Sequence, residues 1–385
     1  MDGGKFFGAF RASSGITDAV VLNHVPVGCN WGAGMFKSFS NQSDIRNACT
    51  VMHEREIVFG GEESLREALI RADRLYDAPL ILVVAGDVPC IIGDDIEAVI
   101  GSVSLKKDVI WMEAAGFRGS MRSGYEDALI NLVPVMEQCD QAANSVNFIG
   151  FCPDDFKVEA DLREIKRLMM DSGVAVNSVI SNCSYEELKM APAAELNVVI
   201  GQGTELAKQM KDKFGIPYIE VGYPYGLRGS RDLIDAVSDH MGLGRDLDRE
   251  IDLQPFEKIY LYLNDIYGTP TSVVGDFHAK SMAEFLCREL GFEIEVLSTL
   301  DDDYNFEEEV KNSNSAILFG TSFEQDLAKE MRIPLVRFSY PIFDQVWIYD
   351  DAPYAGLRGA VCLTETILNT VMGFEDKLSD LELRA

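Results

Sequence analysis

The chain has 385 residues, 47% of them apolar, and sets 34 Lys and Arg against 63 Asp and Glu for a formal net charge of −29. That length supports two or three α/β domains, each burying its own core, and that charge excludes the basic footprint a nucleic-acid partner requires. No uninterrupted apolar run reaches the roughly 18 to 20 residues of a membrane span, and Met1-Asp2-Gly3-Gly4-Lys5 lacks a secretory pattern, so a cytoplasmic protein with no membrane partner is expected.

Taken in chain order, short apolar runs alternate with helical patterns, the signature of parallel sheets covered by crossover helices. Strands are expected at Asp18–Leu22, Leu80–Ala85, Val109–Glu113, Val146–Phe151, Val174–Ile180 and Leu196–Ile200. Further strands are expected at Tyr218–Gly222, Lys258–Leu263, Thr271–Gly275, Glu293–Leu297, Ala316–Phe319 and Pro334–Phe338. Most are continuously apolar, as strands buried on both faces are. The fold class is therefore α/β.

The middle and last thirds repeat each other. Asn197-Val-Val-Ile-Gly leads through a helix to Gly215-Ile-Pro-Tyr-Ile-Glu-Val-Gly-Tyr-Pro and Gly226-Leu-Arg-Gly. Ala316-Ile-Leu-Phe-Gly leads likewise to Arg332-Ile-Pro-Leu-Val-Arg-Phe-Ser-Tyr-Pro and Gly356-Leu-Arg-Gly. The polar stretch His240–Gln254 reads as the connection between the two units, and a weaker boundary falls near Gln138–Ser145. The expected division is 1–143, 144–250 and 251–385, the last with C-terminal helices. Ligands of such sheets gather where strand C-terminal ends converge.

The eight cysteines (29, 49, 90, 139, 152, 183, 287 and 362) form no CxxC pair and are too sparse for a disulfide scaffold, which argues for a reducing compartment. Two stand out. Cys29 lies in His24-Val-Pro-Val-Gly-Cys29-Asn-Trp-Gly-Ala-Gly, directly after the first strand. Pro26 and Gly28 suit a tight turn there, and Gly32 and Gly34 permit close backbone approach, bringing N–H donors of the kind that tune cluster sulfurs. Cys90 lies in Ala85-Gly-Asp-Val-Pro-Cys90-Ile-Ile-Gly-Asp-Asp, after another apolar strand and ahead of a helix whose first turn carries Asp94, Asp95 and Glu97. A helix N-terminus favours the thiolate that iron requires. One strand-end cysteine is ordinarily a small buried residue; two in matched settings point to metal. Two thiolates fall short of the four of a [4Fe-4S] cluster, but a two-fold dimer would double them.

Across the whole chain these motifs resemble the nitrogenase component 1 family. His24-Val-Pro-Val-Gly-Cys29 is similar to its HGPxGC, Val58-Phe-Gly-Gly-Glu-Glu-Ser-Leu65 to its VFGGxxxL, and Cys90-Ile-Ile-Gly-Asp-Asp to its C-x-x-x-G-D-D. Gly116-Phe-Arg-Gly119 resembles its GFRG, Val146-Asn-Phe-Ile-Gly its VNxIG, and Tyr354-Ala-Gly-Leu-Arg-Gly359 its GYRG. The resemblance implies three Rossmann-like domains, pairing as a homodimer or paralogous heterodimer, and electrons from an ATP-dependent iron–sulfur reductase. It also implies a [4Fe-4S] cluster held by Cys29 and Cys90 and shared across the dimer interface.

Departures from the family pattern narrow the function. Gly3-Gly4-Lys5-Phe6-Phe7 lacks the further cysteine that members carry near the N-terminus, which argues against an eight-iron cluster. The positions of the molybdenum cofactor's cysteine and histidine fall at about Gly201 and near Val346, which argues against dinitrogen reduction. The chain then resembles the small homodimeric members, of which the reductive cyclase acting on a nickel tetrapyrrole is one, although Asn30 stands where a second cysteine is expected of that enzyme. The implied function is reduction of an unsaturated small-molecule substrate, a tetrapyrrole in the best-known example. A second reading is a scaffold on which a cluster or metallocofactor is assembled and handed on. A third is a metal-free binding protein.

Arg118 and Arg358, each beside glycine, fit structural ion pairs, with electron steering or substrate carboxylates as the alternative. His24 reads as a packing residue or one that supports the cluster's ligands from behind, Cys49 as a reserve ligand, and Asp94-Asp95 as a helix cap that also meets the subunit interface rather than as acid–base groups. Cys139, Cys152, Cys183, Cys287 and Cys362 read as core.

Overall fold

The computed structural model describes residues 4–30, 46–243, 254–264, 266–299, 305–347 and 351–382. The α/β expectation holds. Among the described residues, twelve strands form three four-stranded parallel sheets, each with its helices. The first contains β1 (Val20–His24), β2 (Asn47–Cys49), β3 (Leu80–Ala85) and β4 (Asp108–Glu113), in the order β2-β1-β3-β4. The second contains β5 (Ala142–Ile149), β6 (Ala175–Ile180), β7 (Ala194–Ile200) and β8 (Tyr218–Val221), ordered β6-β5-β7-β8. The third contains β9 (Pro270–Gly275), β10 (Glu293–Thr299), β11 (Ile317–Gly320) and β12 (Leu335–Arg337), ordered β10-β9-β11-β12.

All three sheets share one strand order. In each, the chain steps outward from the first strand to the second, then returns to the far side of the first, so the crossover direction reverses between the first and third strands. That reversal opens a crevice at their C-terminal ends. In the first sheet it lies between β1 and β3.

The chain forms two compact units, Met1–Asp154 with Val176–Glu220, and Asp155–Ala175 with Val221–Ala385. The first holds two sheets. β3 explains its own burial: Leu80, Leu82 and Val84 enter a core shared with Phe10, Tyr125, Leu129 and Val199, while Ile81, Val83 and Ala85 face Leu65 and Leu69 of the helix Glu62–Leu75. Covered on both faces, the strand needs no polar alternation. In the second unit, Phe306, Val310, Leu318 and Leu335 belong to one core cluster of the third sheet. The repeat seen in the sequence meets itself there, as Tyr225 and Ala355 form an antiparallel bridge and Gly356 N donates to Pro224 O at 2.8 Å.

Two expectations differ from the structure. Lys258–Leu263, expected as a strand, belongs to the helix Gln254–Leu263 packed on the helix Gly356–Glu382. Its Lys-Ile-Tyr-Leu-Tyr-Leu run is too short for period to separate strand from helix, and a neighbouring apolar helix decides the matter. β2 has no counterpart among the expected strands, because three residues with a leading Asn give no apolar run. Of the expected connection, residues 240 and 241 close the helix Gly226–Met241, and 244–253 lie outside the described residues.

Candidate functional site

β1 and β3 leave the first sheet side by side, with His24 in register with Ala85 and Gly86 N donating to His24 O at 3.2 Å. A Cβ on Gly86 would lie 2.4 Å from Val25 Cγ1, so glycine is what lets the two exits touch. After β1 the chain bridges Pro26 to Met52, then turns helical over residues 27–30, with Cys29 N donating to Pro26 O at 3.1 Å. After β3, Cys90 is the fourth residue of the short helix Asp87–Ile92. Cys29 and Cys90 therefore stand at the C-terminal ends of the two strands that flank the crossover reversal. Cys49 ends β2, the next strand over, and its sulfur accepts from Val51 N at 3.2 Å. Gly32 and Gly34, expected to shape the first loop, lie outside the described residues.

All three thiols are half-buried and unpaired by disulfide. Burial pushes Cys29 up from the ordinary thiol range, and the Asp87 carboxylate adds to the shift. Burial also pushes Cys90 up, against Arg118 and Lys5, while Asp87 again raises it. Burial raises Cys49 too, and the Cys29 sulfur contributes. The expectation of a thiolate at a helix N-terminus is thus not met at Cys90, which sits inside its helix, where burial is the largest influence on the thiol. These thiols ionise when a cation replaces the proton. Their sulfurs do not all lie within 4.8 Å of one another, so this geometry does not gather the three around one ion.

A buried network missed in the sequence ties the same loops together. His24 is fully buried, with Nδ1 3.0 Å from Thr50 Oγ1 and Nε2 3.1 Å from Asp94 Oδ2. Asp94 also accepts from Gly61 N at 2.9 and 3.1 Å. Burial holds the imidazole below its ordinary range, and Asp94 opposes this. The network fastens the end of β1, the segment after β2, the start of the helix Glu62–Leu75 and the loop after Cys90. A sequence signal existed in His24 and Asp94 inside the two cysteine motifs, but each alone fits packing or capping. Asp95 does cap, accepting from Ala98 N at 3.0 Å.

Arg118 pairs with Glu113 at the end of β4. Arg358 opens the helix Gly356–Glu382, where its amide donates to Glu164 Oε1 at 3.1 Å. Cys152 and Cys183 are buried, as expected of core residues, Cys139 and Cys362 are partly so, and Cys287 is exposed.

The family model described as nitrogenase component 1 type oxidoreductase matches residues 5–316 and 299–372. The nitrogenase iron-molybdenum cofactor biosynthesis protein NifE of Clostridium pasteurianum is 29% identical over 334 residues, 81% of this chain and 72% of that one. One chain of the light-independent protochlorophyllide reductase of Heliobacterium modesticaldum is 26% identical over 363 residues, 85% of this chain and 70% of that one. Among solved structures, nitrogenase Cp1 at pH 6.5 superposes with a TM-score of 0.83 at 22% identity, covering 95% of this chain and 91% of that one, a likeness of fold.

Proposed function

The chain belongs to the nitrogenase component 1 type oxidoreductases, and from that premise we propose that it is the catalytic component of a two-component reductase. In this reading Cys29 and Cys90 hold an iron–sulfur cluster, and an ATP-dependent iron–sulfur reductase supplies the electrons. One observation carries it: two thiols in the segments that follow the two strands flanking the topological switch of one parallel sheet, where such sheets receive ligands.

The donor set fits half a site. Two cysteines per chain meet a [4Fe-4S] cluster's need for four only if a two-fold dimer brings a second pair. When bound, such a cluster supplies one-electron transfer at a potential tuned by its surroundings. The chain's residues do the rest. Cys29 and Cys90 surrender their protons on metal binding. Arg118 and Lys5 offset part of the negative charge that ionisation would bring at Cys90, and Asp87 resists it. The His24–Asp94 network fixes the spacing of the two loops, which is the second-sphere task that orients metal ligands.

The substrate in this reading is an unsaturated small molecule, and a tetrapyrrole is favoured by the similarity to a protochlorophyllide reductase. A second reading is favoured by the similarity to NifE: the chain is a scaffold whose cluster is cargo, handed to a recipient. Turnover separates them. Anaerobically purified protein, mixed with its reductase and ATP, keeps its iron through many cycles of substrate reduction if it is a catalyst. Iron that moves stoichiometrically to an apo-protein, with no substrate reduced, overturns the catalytic reading.

A further inference from the structure

The second unit contains a cavity remote in sequence from the cysteine motifs. It opens beside the start of the helix Gly226–Met241, between the helix Gln254–Leu263, the widened turn Leu286–Leu290 and the helix Gly356–Glu382. Its volume is about 440 Å³, within the range of roughly 300–1,000 Å³ common to small-molecule sites.

Its charge runs against the molecule's. In a chain of net charge −29, this wall carries the guanidinium groups of Arg228 and Arg288, with Arg231, already engaged within the chain, beside them, against one carboxylate, Glu289. That carboxylate is already engaged, accepting from Leu227 N at 2.9 Å and Arg228 N at 2.8 Å. Burial pushes Glu289 up from the ordinary carboxylate range, and the Arg228 and Leu227 amides and the Arg228 charge oppose the shift. The other wall is apolar, with Ile259, Leu263 and Phe285. The apolar side continues into a second hollow of about 440 Å³ between the same two helices, which shares Ile259 and Thr364 and extends past Tyr262, Leu368 and Met372, with Lys258, Glu365 and Asn369 at its polar edge.

A cationic mouth leading to an apolar trough selects one chemistry. Guanidinium forks bind carboxylate, sulfonate or phosphate oxygens in pairs, and the trough buries hydrocarbon at about 25 cal/mol per Å². We propose that this cavity binds a small anionic amphiphile, its acid group at Arg228 and Arg288 and its apolar body along Ile259 and Leu263. The proposal is independent of any cluster, so its failure and the failure of the redox reading are separable.

The test is fluorescence titration of the full chain with the sulfonated dye 1-anilinonaphthalene-8-sulfonate and with the neutral N-phenyl-1-naphthylamine. Arg228→Ala with Arg288→Ala should weaken the sulfonated dye about tenfold or more while changing the neutral dye less than about twofold. Ile259→Asp should weaken both. Arg228→Lys with Arg288→Lys keeps the charge without the paired donors and should bind the sulfonate between the alanine variant and wild type, which guards against a misfolded alanine variant. Equal sulfonate affinity in the wild type and the folded alanine variant overturns the proposal. A shift from dimer to monomer in that variant also overturns it, since the cavity would then be a contact between copies. Arginine-dependent capture by phosphatidylglycerol vesicles, without capture of the free dye, overturns it in favour of a lipid surface.

Discussion

Replacing Asp94 by alanine tests whether the buried network is what holds the two cysteine loops together. The side chain accepts from His24 Nε2 at 3.1 Å and from Gly61 N at 2.9 and 3.1 Å, and its 3% exposure leaves water little room to substitute. Alanine strands two buried donors at about 1–3 kcal/mol each, so the loss is about 2–6 kcal/mol. Asp94→Asn keeps an oxygen for the Gly61 amide and should cost less than half as much. Because the chain has two units and need not unfold in one step, the readout is local: hydrogen exchange at the Gly61 amide and along Leu80–Ala85, followed by guanidinium titration. The expected result is loss of Gly61 protection and weaker protection of β3 in the alanine variant. Unchanged protection, with stability within about 0.5 kcal/mol of wild type, would refute the reasoning.

The helix pair Gly4–Ser14 and Met121–Asn131 gives a prediction of sign. A Cβ on Gly8 would sit 1.7 Å from Met121 O, whereas one on Gly101, also helical, meets nothing within 4 Å. Gly8→Ala should therefore lose about 1–3 kcal/mol or more, and Gly101→Ala should gain up to about 1 kcal/mol, as thermal melts will report. His24 predicts a pH effect. Burial holds its folded value below the ordinary imidazole range, so the unfolded chain takes up a proton that the folded chain refuses as pH falls through about 6.5. Stability should drop over that interval, and His24→Gln should flatten the drop measured by denaturation at stepped pH. Asp87 raises both Cys29 and Cys90, so Asp87→Asn should speed alkylation of each thiol at fixed pH near 8 in metal-free protein, measured by mass spectrometry.

The strands were legible in proportion to how fully they are buried. β3, covered on both faces, appears in the sequence as an unbroken apolar run with its observed bounds, Leu80–Ala85. β2 escapes notice because an edge strand of three half-buried residues has no pattern to display. Gln254–Leu263 misleads because its aromatic and aliphatic alternation reflects partial packing on one helix, with Tyr260 and Leu261 more than 70% exposed. The cysteines were legible as strand-end residues, and the burial that raises their thiols was not. Whether a helix dipole or burial governs Cys90 depends on where in the helix it falls, one turn of difference that spacing does not resolve. The His24–Asp94 contact joins residues 70 apart in sequence, and no local pattern announces such a pairing.

The most direct test of the cluster reading is iron and acid-labile sulfide analysis of anaerobically purified protein, beside the variants Cys29→Ser, Cys90→Ser and Cys49→Ser. The account predicts about four irons and four sulfides per two chains, retained in Cys49→Ser and lost with the visible absorbance in either of the other two. Iron undiminished in a folded Cys29→Ser, Cys90→Ser double variant, or absent from anaerobic wild type after reconstitution, would contradict it.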